Sequence, residues 1–283
     1  MTGDDPDLDL DVEVDVDEAL AAVESERPLI NAVTNKVTVN QVANVILHWG
    51  GLPVMSDDER EVADMVAAAS GCLLNMGTVS ERGEEAMLTA GRAANEHGLP
   101  LVVDPVGVGA TPTRSRVAER LTSELDVTVV KGNYGEVSAL VGDDSEVRGV
   151  ESVGEYADIA ATAVACARQT GAVVVASGTV DIVATADAAF EVETGHVMMG
   201  EVVGTGCMLG GTLATFAAGV DDTLSAALTG TAAFGFAGEL AGDGAFGDYS
   251  GPASYETAFL DAVAGLAGED LPVATERIEA VVE

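Results

Sequence analysis

Lysine is almost missing from this chain of 283 residues. Only Lys36 and Lys131 are lysines, and the other ten basic residues are arginines. Against these 12 basic residues stand 48 aspartates and glutamates, so the formal charge at pH 7 is −36. Proteins bind nucleic acid through basic surfaces that displace the counterions of the phosphates. The charge of the chain therefore excludes most nucleic-acid-binding functions.

Cysteine is also scarce, and long apolar runs do not occur. Cys72, Cys166 and Cys207 form an odd number without C-x-x-C spacing, which argues against a disulfide framework and a structural zinc site. No stretch approaches the roughly 18 apolar residues that a membrane span requires, and the N-terminus is acidic where a secretory signal is basic. These features predict a protein of the reducing cytoplasm that has no membrane partner.

What the chain does contain is enough apolar material for a large core. Hydrophobic residues make up 48% of the sequence and the mean hydropathy is +0.28, which excludes an acidic disordered protein. Residues 1–17 alternate acids with Leu and Val and are interpreted as an acidic N-terminal tail. No linker, composition break or repeat divides the remainder, so residues 18–283 are predicted to form one domain.

The acidic, lysine-poor composition also indicates the solvent. Such a surface stays hydrated in concentrated salt, where screening relieves the repulsion among its carboxylates. We therefore expect this protein to work in a high-salt cytosol.

Four short and nearly all-apolar runs, at residues 72–76, 101–104, 127–130 and 172–176, alternate with helix-length segments. Strands without polar alternation are buried on both faces, and intervening helices indicate a parallel sheet that is covered on both sides. Residues 180–195 are predicted to form an antiparallel hairpin at a sheet edge, and a helical C-terminal third follows. The predicted fold class is α/β, a three-layer arrangement in which a mostly parallel central sheet has helices on both faces.

The residues directly after each apolar run are candidate site residues, because ligands of open parallel sheets bind at the carboxyl ends of the strands. Small and polar residues stand at these positions, and we expect them to share one edge of the sheet. They are Gly77-Thr78, Asp104-Pro105-Val106-Gly107, Lys131-Gly132-Asn133 with Glu136, and Ser177-Gly178.

Residues 203–212 (VGTGCMLGGT) lead from a strand end into an apolar helix. Gly204 and Gly206 permit a tight turn whose backbone N–H groups point outward, and the helix N-terminus adds partial positive charge. Such a turn could hold a transferring phosphoryl group without any lysine. A G-x-G pair on its own is more often an ordinary glycine-rich helix start.

Charged residues near the strand ends allow two interpretations each. Asp104 and Glu136 could converge and hold a hydrated magnesium ion. Alternatively, Asp104 caps the loop before Pro105 and Glu136 lies on an exposed helix face. Lys131 is either a functional cation or a solvated lysine that closes a strand, and the scarcity of lysine gives it additional weight.

Two further features are open at this point. Cys207 lies at a predicted helix N-terminus, where thiols are more nucleophilic, but only His196 is near it in sequence as a partner. Asn35 and Lys36 belong to a polar loop before the helical segment VNQVANVILHWG. That loop could line a small-molecule pocket, or it could cap the helix through Thr38 or Asn35.

Seven short motifs follow one another in order along the chain: Thr34-Asn35, Pro53-Val54-Met55, Asn75-Met76-Gly77-Thr78, Asp104-Pro105-Val106-Gly107, Lys131-Gly132-Asn133 with Glu136, Ser177-Gly178, and Gly204-Thr205-Gly206-Cys207. Each motif is weak alone, but their order and spacing are specific. Together they resemble the hydroxyethylthiazole kinases, a thiazole-salvage family of thiamine biosynthesis within the ribokinase-like superfamily. The resemblance runs from about residue 28 to the C-terminus.

The resemblance implies a ribokinase-like fold and a homotrimer with active sites between subunits. It also implies ATP- and Mg2+-dependent phosphorylation of the hydroxyl of 4-methyl-5-(2-hydroxyethyl)thiazole. The site roles that it implies are thiazole binding by Met55, Asn35 and Gly204, ATP binding by Lys131, Ser177 and Asn133, magnesium binding by Asp104 and Glu136, and a catalytic phosphoryl cradle formed by Gly204, Thr205, Gly206 and Cys207.

Some positions depart from the related patterns. Cys207 stands where most ribokinase-like enzymes have Asp as general base, and we expect it to assist without being indispensable, since phosphoryl transfer depends mainly on positioning and charge stabilisation. Ser177 replaces a common Thr and keeps the hydroxyl, whereas Lys131 replaces an occasional Arg and keeps the charge. Val203 stands where Thr is frequent, so one hydroxyl is absent.

Three other functions compete with this interpretation. A kinase of the same fold for hydroxymethylpyrimidine or a sugar is disfavoured by Cys207 in place of Asp. A sensor of ATP or thiazole without turnover would not need intact Asp104 and Glu136. A dinucleotide-dependent dehydrogenase would use residues 107–109 (GVG), but this tract lacks the third glycine of the G-x-G-x-x-G pattern.

Salt adaptation predicts that stability depends on ionic strength. Because screening weakens repulsion among the 48 acidic side chains, we expect the midpoint of thermal unfolding to rise between low and multimolar KCl. Differential scanning calorimetry at constant protein concentration measures this midpoint. Equal midpoints at the two salt concentrations would contradict the hypothesis.

Overall fold

The computed structural model describes residues 14–142, 159–269 and 271–282, and these residues form nine strands and ten α-helices. The strands are β1 (Leu29–Val33), β2 (Leu52–Val54), β3 (Gly71–Asn75), β4 (Leu101–Asp104), β5 (Val129–Asn133), β6 (Val173–Ser177), β7 (Asp181–Ala184), β8 (Ala189–Val192) and β9 (Ile278–Val282). The helices are α1 (Val16–Glu26), α2 (Val39–His48), α3 (Val62–Ala67), α4 (Glu81–His97), α5 (Pro112–Ser123), α6 (Tyr134–Val141), α7 (Ile159–Thr170), α8 (Thr205–Gly219), α9 (Thr223–Gly242) and α10 (Pro252–Gly265).

The strands form one sheet in the order β2-β1-β3-β4-β5-β6-β7-β8-β9. All pairs from β2 to β6 are parallel, and the pairs from β6 to β9 are antiparallel. The four predicted strands are β3 to β6, so the mostly parallel sheet is confirmed. The parallel strands place their carboxyl ends on one edge, where the candidate site residues lie.

Successive residues of the central strands face two different apolar layers. Leu73 and Val102 pack in the layer with α1, α2, α8, α9 and α10, whereas Leu74 and Val103 pack in the layer with helices α3 to α7. Both layers consist of buried apolar side chains, which explains why these strands read as continuous apolar runs. Helices α8 and α9 are buried along most of their length, because they lie between the sheet and the outer helices.

The C-terminal region differs from the prediction. Strands β7 and β8 pair antiparallel as expected, but the hairpin does not lie at the edge, because β9 pairs with β8 beyond it. The C-terminal third is therefore not wholly helical. Strand β9 (IEAVV) alternates between half-buried and exposed residues, as an edge strand does, and follows a helical stretch without a marked turn signal.

The N-terminal tail predicted for residues 1–17 lies mostly outside the described residues. Helix α1 begins at Val16, and the Asp15 carboxylate caps it by accepting from the Glu18 backbone N–H at 2.9 Å. Among the described residues, no helix is both long and apolar enough to cross a membrane.

Helix α9 carries three glycines, Gly235, Gly238 and Gly242, on the side that receives the segment after β8. A Cβ at Gly238 would overlap Met199 Sδ, and a Cβ at Gly242 would lie 2.6 Å from the His196 ring. The carbonyl oxygen of Met199 in turn lies 2.8 Å from Thr205 Oγ1, in the first turn of α8. The close packing on α9 thereby fixes where α8 begins.

Replacing Gly235 by Ala is expected to destabilise the protein by about 1–3 kcal/mol or more. The new Cβ would overlap the Thr194 side chain and lie 2.9 Å from the Thr194 carbonyl carbon, so the backbone must move. Urea unfolding measures the change. Gly268→Ala is the control, because nothing lies within 4 Å of a Cβ at that position. Equal stability of the two variants would contradict the packing argument.

Candidate active site

Three polar side chains stand side by side, at the carboxyl ends of β3 and β4 and in the middle of β5. Asn75 is the register partner of Asp104, and Lys131 continues the β4–β5 register that pairs Val103 with Val130. Each of the three lies two residues beyond an apolar residue that faces the α8 layer, so all three point toward α8. Those apolar residues are Leu73, Val102 and Val129.

This polar row (Asn75, Asp104, Lys131) is buried and hydrogen-bonded. Asn75 Nδ2 donates to Asp104 Oδ2 at 2.6 Å, and Lys131 Nζ lies 3.4 Å from Asp104 Oδ1. Asp104 is 0% exposed and Lys131 is 4% exposed. The alternatives of a loop-capping Asp104 and a solvated Lys131 are therefore wrong.

Burial and charge act in opposite directions on this pair. Burial raises the pKa of Asp104 to about 7, the Lys131 ammonium opposes the increase, and the Glu136 carboxylate adds to it. Burial by itself lowers the pKa of Lys131, but the negative charges of Asp104 and Glu136 outweigh it, so the net shift is upward. Lys131 thus stays charged at neutral pH and supports the ionised form of Asp104.

The turn at residues 204–207 lies directly above the polar row. Gly204 has a φ of +100°, and no side chain caps the first turn of α8. A Cβ at Gly204 would lie 2.8 Å from Thr38 Cγ2, and a Cβ at Gly206 would lie 3.0 Å from Lys131 Nζ. Glycine therefore lets the backbone approach the buried ammonium. An uncapped helix start of this kind favours an anion.

Thr205 serves the turn itself. Its hydroxyl lies 2.8 Å from the carbonyl oxygen of Met199 and 2.9 Å from that of Val202. Thr205 is predicted to belong to the phosphoryl cradle, and in the structure its side chain bonds to the backbone of the preceding segment. Val203, just before the turn, is exposed.

Asn35 links the loop after β1 to this arrangement. Its Nδ2 lies 2.8 Å from Thr38 Oγ1, 2.9 Å from Asn75 Oδ1 and 3.4 Å from Cys207 Sγ. Its Oδ1 accepts from the backbone N–H groups of Val37 and Thr38, so the cap on this loop comes from Asn35 and not from the Thr38 side chain. The resemblance assigns Asn35 to thiazole binding, and the sequence gave no sign of this network.

Cys207 is partly buried and has Asn35 as its hydrogen-bond neighbour. His196 is engaged elsewhere, because its Nδ1 accepts from the Met198 N–H and its ring stacks on Tyr255. Met55 packs against the same apolar cluster as Cys207. Cys72 and Cys166 are core residues, and burial raises the pKa of each thiol to about 12.

Glu136 is buried and holds two loops. Its Oε1 accepts from Gly107 N at 2.7 Å and its Oε2 from Asn133 N at 2.8 Å, while Asn133 Oδ1 accepts from Glu136 N. This reciprocal capping box starts α6 and ties it to the loop after β4. The alternative of an exposed Glu136 is therefore wrong.

The residues fit a hydrated Mg2+. Each ionised carboxylate offers about four lone-pair sites, and Asp104 and Glu136 each use two. Two carboxylates beside one ammonium leave local negative charge, which a cation would offset. Among the described residues, no group of three or more His, Cys, Asp and Glu could form a metal cage. Mg2+ needs none, because it keeps several waters and binds through one or two carboxylates and substrate phosphates.

Ser177 and Asn133 face each other as register partners at the ends of β5 and β6. Ser177 Oγ lies 3.4 Å from the Gly132 carbonyl oxygen. Beyond them, a Cβ at Gly178 would overlap the Tyr134 ring, so glycine allows this ring to cover the end of β6. Burial raises the pKa of Asp181 to about 6, and its carboxylate accepts from Gly178 N at 2.9 Å.

The central position of Asn75 was missed by sequence reasoning, although Asn75 belongs to a recognised motif. Its signal was a single amide that closes the otherwise apolar run CLLN. Thr38, which packs against Gly204, and Arg114, which bonds to carbonyls near Asn75, were missed as well. Neither residue directly follows an apolar strand run, which is the signal that marked the other candidate residues.

Comparison with solved structures identifies the fold first. The fold is similar to that of a ribokinase-like superfamily protein from Enterococcus faecalis V583, with a TM-score of 0.60, 13% identity, and coverage of 85% of this chain and 88% of that chain. The ribokinase-like fold implied by the motifs, with helices on both faces of the sheet, is thus confirmed.

Sequence and structure comparisons then define the family. Residues 20–269 match the Hydroxyethylthiazole kinase family, and this chain belongs to that family. It is 69% identical over 247 residues to the hydroxyethylthiazole kinase of Haloquadratum walsbyi, covering 87% of this chain and 86% of that protein. The solved hydroxyethylthiazole kinase of Pyrococcus horikoshii OT3 has a TM-score of 0.81 and 33% identity, with 94% of this chain and 98% of that chain covered.

Removing the Lys131 charge should cost more stability as the pH rises. In Lys131→Met, the Asp104 carboxyl loses its ammonium partner, so its folded-state pKa rises further above its unfolded value near 4. A carboxyl group with a higher pKa in the folded state than in the unfolded state makes the protein less stable as the pH rises from the unfolded-state pKa to the folded-state pKa. The loss is at most about 1.4 kcal/mol per pH unit. In the wild type, the stability lost through Asp104 levels off above its pKa of about 7. In the variant, the free energy of unfolding continues to fall above that pH.

Urea unfolding of both proteins at pH 5, 7 and 9 measures this difference. Lys131→Arg, which keeps the charge, is the control and should follow the wild type. A stability difference that is constant across this pH range would contradict the Asp104–Lys131 coupling.

Proposed function

We propose that this protein transfers the terminal phosphoryl group of ATP to the hydroxyl of 4-methyl-5-(2-hydroxyethyl)thiazole, as its family membership suggests. The observation that carries the proposal is the uncapped glycine turn at the start of α8, set directly over Lys131 and Asp104. Phosphoryl transfer requires positioning and stabilisation of negative charge more than covalent chemistry by the protein. This turn offers both.

The turn would act on the transferring group through its backbone. The free N–H groups and the partial positive charge of the α8 N-terminus would stabilise the negative charge on the phosphoryl oxygens. Gly204 and Gly206 allow the reacting groups to come close to this backbone. The ammonium of Lys131, 3.0 Å from the Cβ position of Gly206, would add a full positive charge below it.

Nucleotide and metal would bind along the ends of β4 to β6. Lys131, Ser177 and Asn133 are the proposed ATP ligands, and Asp104 and Glu136 would hold Mg2+ through its water shell. When bound, Mg2+ neutralises phosphate charge and aligns the phosphates. Glu136 also holds the loop after β4, through the Gly107 N–H.

The thiazole would lie between β1, β2 and α8. Met55 would offer an apolar contact, and Gly204 would let the substrate hydroxyl approach the turn. Asn35 would position Cys207, since its Nδ2 lies 3.4 Å from Cys207 Sγ. The thiol of Cys207 would border the substrate hydroxyl. Because the transition state of phosphoryl transfer is loose, it needs little help from a strong base.

We also propose the homotrimer with active sites between subunits. Val37 and Val203 are 69% and 74% exposed beside the turn, and a second subunit would remove these apolar side chains from water. The acidic surface supports a high-salt cytosol as the working environment.

The direct experiment incubates the purified protein with Mg-ATP and hydroxyethylthiazole in multimolar KCl and follows the thiazole phosphate by mass spectrometry. Hydroxymethylpyrimidine serves as the parallel substrate. We expect product from the thiazole alone. Product from the pyrimidine alone would overturn the substrate assignment around Met55 but would still show kinase activity. If neither compound gives product while ATP still binds, the sensor function is favoured.

Cys207→Ala should keep measurable activity, with a loss in kcat below the roughly 10²- to 10⁴-fold that general-base catalysis contributes. Asp104→Ala, by contrast, should lose nearly all activity, because the buried Lys131 loses its partner and the magnesium site loses a carboxylate. Steady-state kinetics on folded fractions measures both. A Cys207→Ala protein that folds and binds ATP but has no activity would contradict the assisting role.

A further inference from the structure

Arg114 joins the two loops that follow β3 and β4. It lies in the first turn of α5, and its guanidinium donates to three backbone carbonyls. Nη1 lies 3.1 Å from Met76 O and 2.5 Å from Val106 O, and Nη2 lies 3.0 Å from Gly77 O. A planar guanidinium reaches acceptors on both loops at once, whereas an ammonium acts as a point charge.

The charge of Arg114 has no carboxylate within 4 Å in residues 14–142, 159–269 and 271–282. Six other arginines of these ranges pair with acids, as Arg120 does with Glu84 and Arg277 with Glu239. Arg168 also bonds to a backbone carbonyl, that of Ala186, but Arg114 bonds to three carbonyls on two different loops. Its surroundings are the loops of the candidate active site.

Both loops that Arg114 holds begin at the polar row. Met76 follows Asn75 directly and its N–H donates to Asp104 O at 3.1 Å, while Val106 and Gly107 follow Asp104. Gly107 is held from two sides, because Glu136 accepts from its N–H and Arg114 donates to the carbonyl before it. At a φ of +73°, Gly107 also leaves room for the guanidinium, which lies 3.2 Å from its Cβ position.

We propose that Arg114 is a positioning residue for phosphoryl transfer: it clamps the loops after β3 and β4 so that Asn75 and Asp104 stay in line under the start of α8. This inference rests on the proposed kinase function. Arg114 acts through the loops and does not touch the reacting groups. Displacements of about 1 Å at a reacting centre can reduce rates about 100-fold.

The test compares Arg114→Ala and Arg114→Lys with Arg116→Ala. Arg116 is the matched control because it lies on the same helix and bonds to Glu84, away from both loops. For Arg114→Ala we expect kcat to fall about 10- to 100-fold with smaller changes in the KM values. Arg114→Lys should recover only part of the loss, since it cannot reach all three carbonyls.

Two readouts separate positioning from a merely structural role. Millimolar guanidinium should restore part of the kcat of Arg114→Ala by occupying the site between the three carbonyls, and equal KCl should not. Amide hydrogen exchange at residues 76–78 and 105–109 should speed up in Arg114→Ala and not in Arg116→Ala.

The outcomes distinguish this proposal from the proposed function. If wild-type protein forms no thiazole phosphate, the proposed function fails and this inference fails with it. If the wild type is active, either of two results overturns only the positioning role. One is a kcat per folded molecule of Arg114→Ala equal to that of the wild type. The other is that guanidinium has no effect on Arg114→Ala and loop exchange is unchanged.

Discussion

The buried contact between Lys131 and Asp104 is the constraint on which the rest of the site depends. Taking either charge out of water alone would be strongly unfavourable, and their attraction offsets this only at close range with further hydrogen bonds. Asn75 supplies one of those bonds, and α8 must approach closely enough to exclude water. A Cβ at Gly206 would lie 3.0 Å from Lys131 Nζ, and one at Gly210 would lie 3.4 Å from Asp104 Oδ2. The glycine spacing of α8 therefore matches the ion pair beneath it, and the same close approach creates the turn above it.

An overall charge of −36 places this site in an unusual electrostatic setting, because the surface repels the polyanion that a kinase binds. Two local positive groups, the α8 N-terminus and Lys131, must act against that field at short range. Concentrated salt changes the balance. At about 1 M the screening length is only about 3 Å, so long-range repulsion is largely removed, whereas buried pairs are screened much less. Concentrated salt therefore weakens the repulsion between the acidic surface and a bound polyanion. It weakens the attraction of the few interior cations for that polyanion much less.

Sequence reasoning recovered those parts of the molecule whose signal is local. Strands β3 to β6 were predicted because burial on both faces produces an unbroken apolar run, and Asp104 and Lys131 were predicted because they interrupt such runs at the functional edge. Strand β2, with three residues, and β9, at the exposed edge, lack that signal. Arg114 lies 38 residues from Met76, and no local pattern encodes that contact. The clamp and the Asn35 network exist only after helices and strands have packed.

The engagement of the two carboxylates bears on the proposed role of the Cys207 thiol. Asp104 is hydrogen-bonded to Asn75 and paired with Lys131, and Glu136 accepts two backbone N–H groups, so each carboxylate already has two partners within the site. Cys207 itself has an amide neighbour in Asn35 and no histidine partner among the described residues. A site built in this way agrees with the proposed assisting role of Cys207, in which charge stabilisation and geometry contribute more than proton removal. Such a division of labour is possible for phosphoryl transfer, because bond breaking to the leaving group runs ahead of bond making to the hydroxyl, which keeps its proton until late.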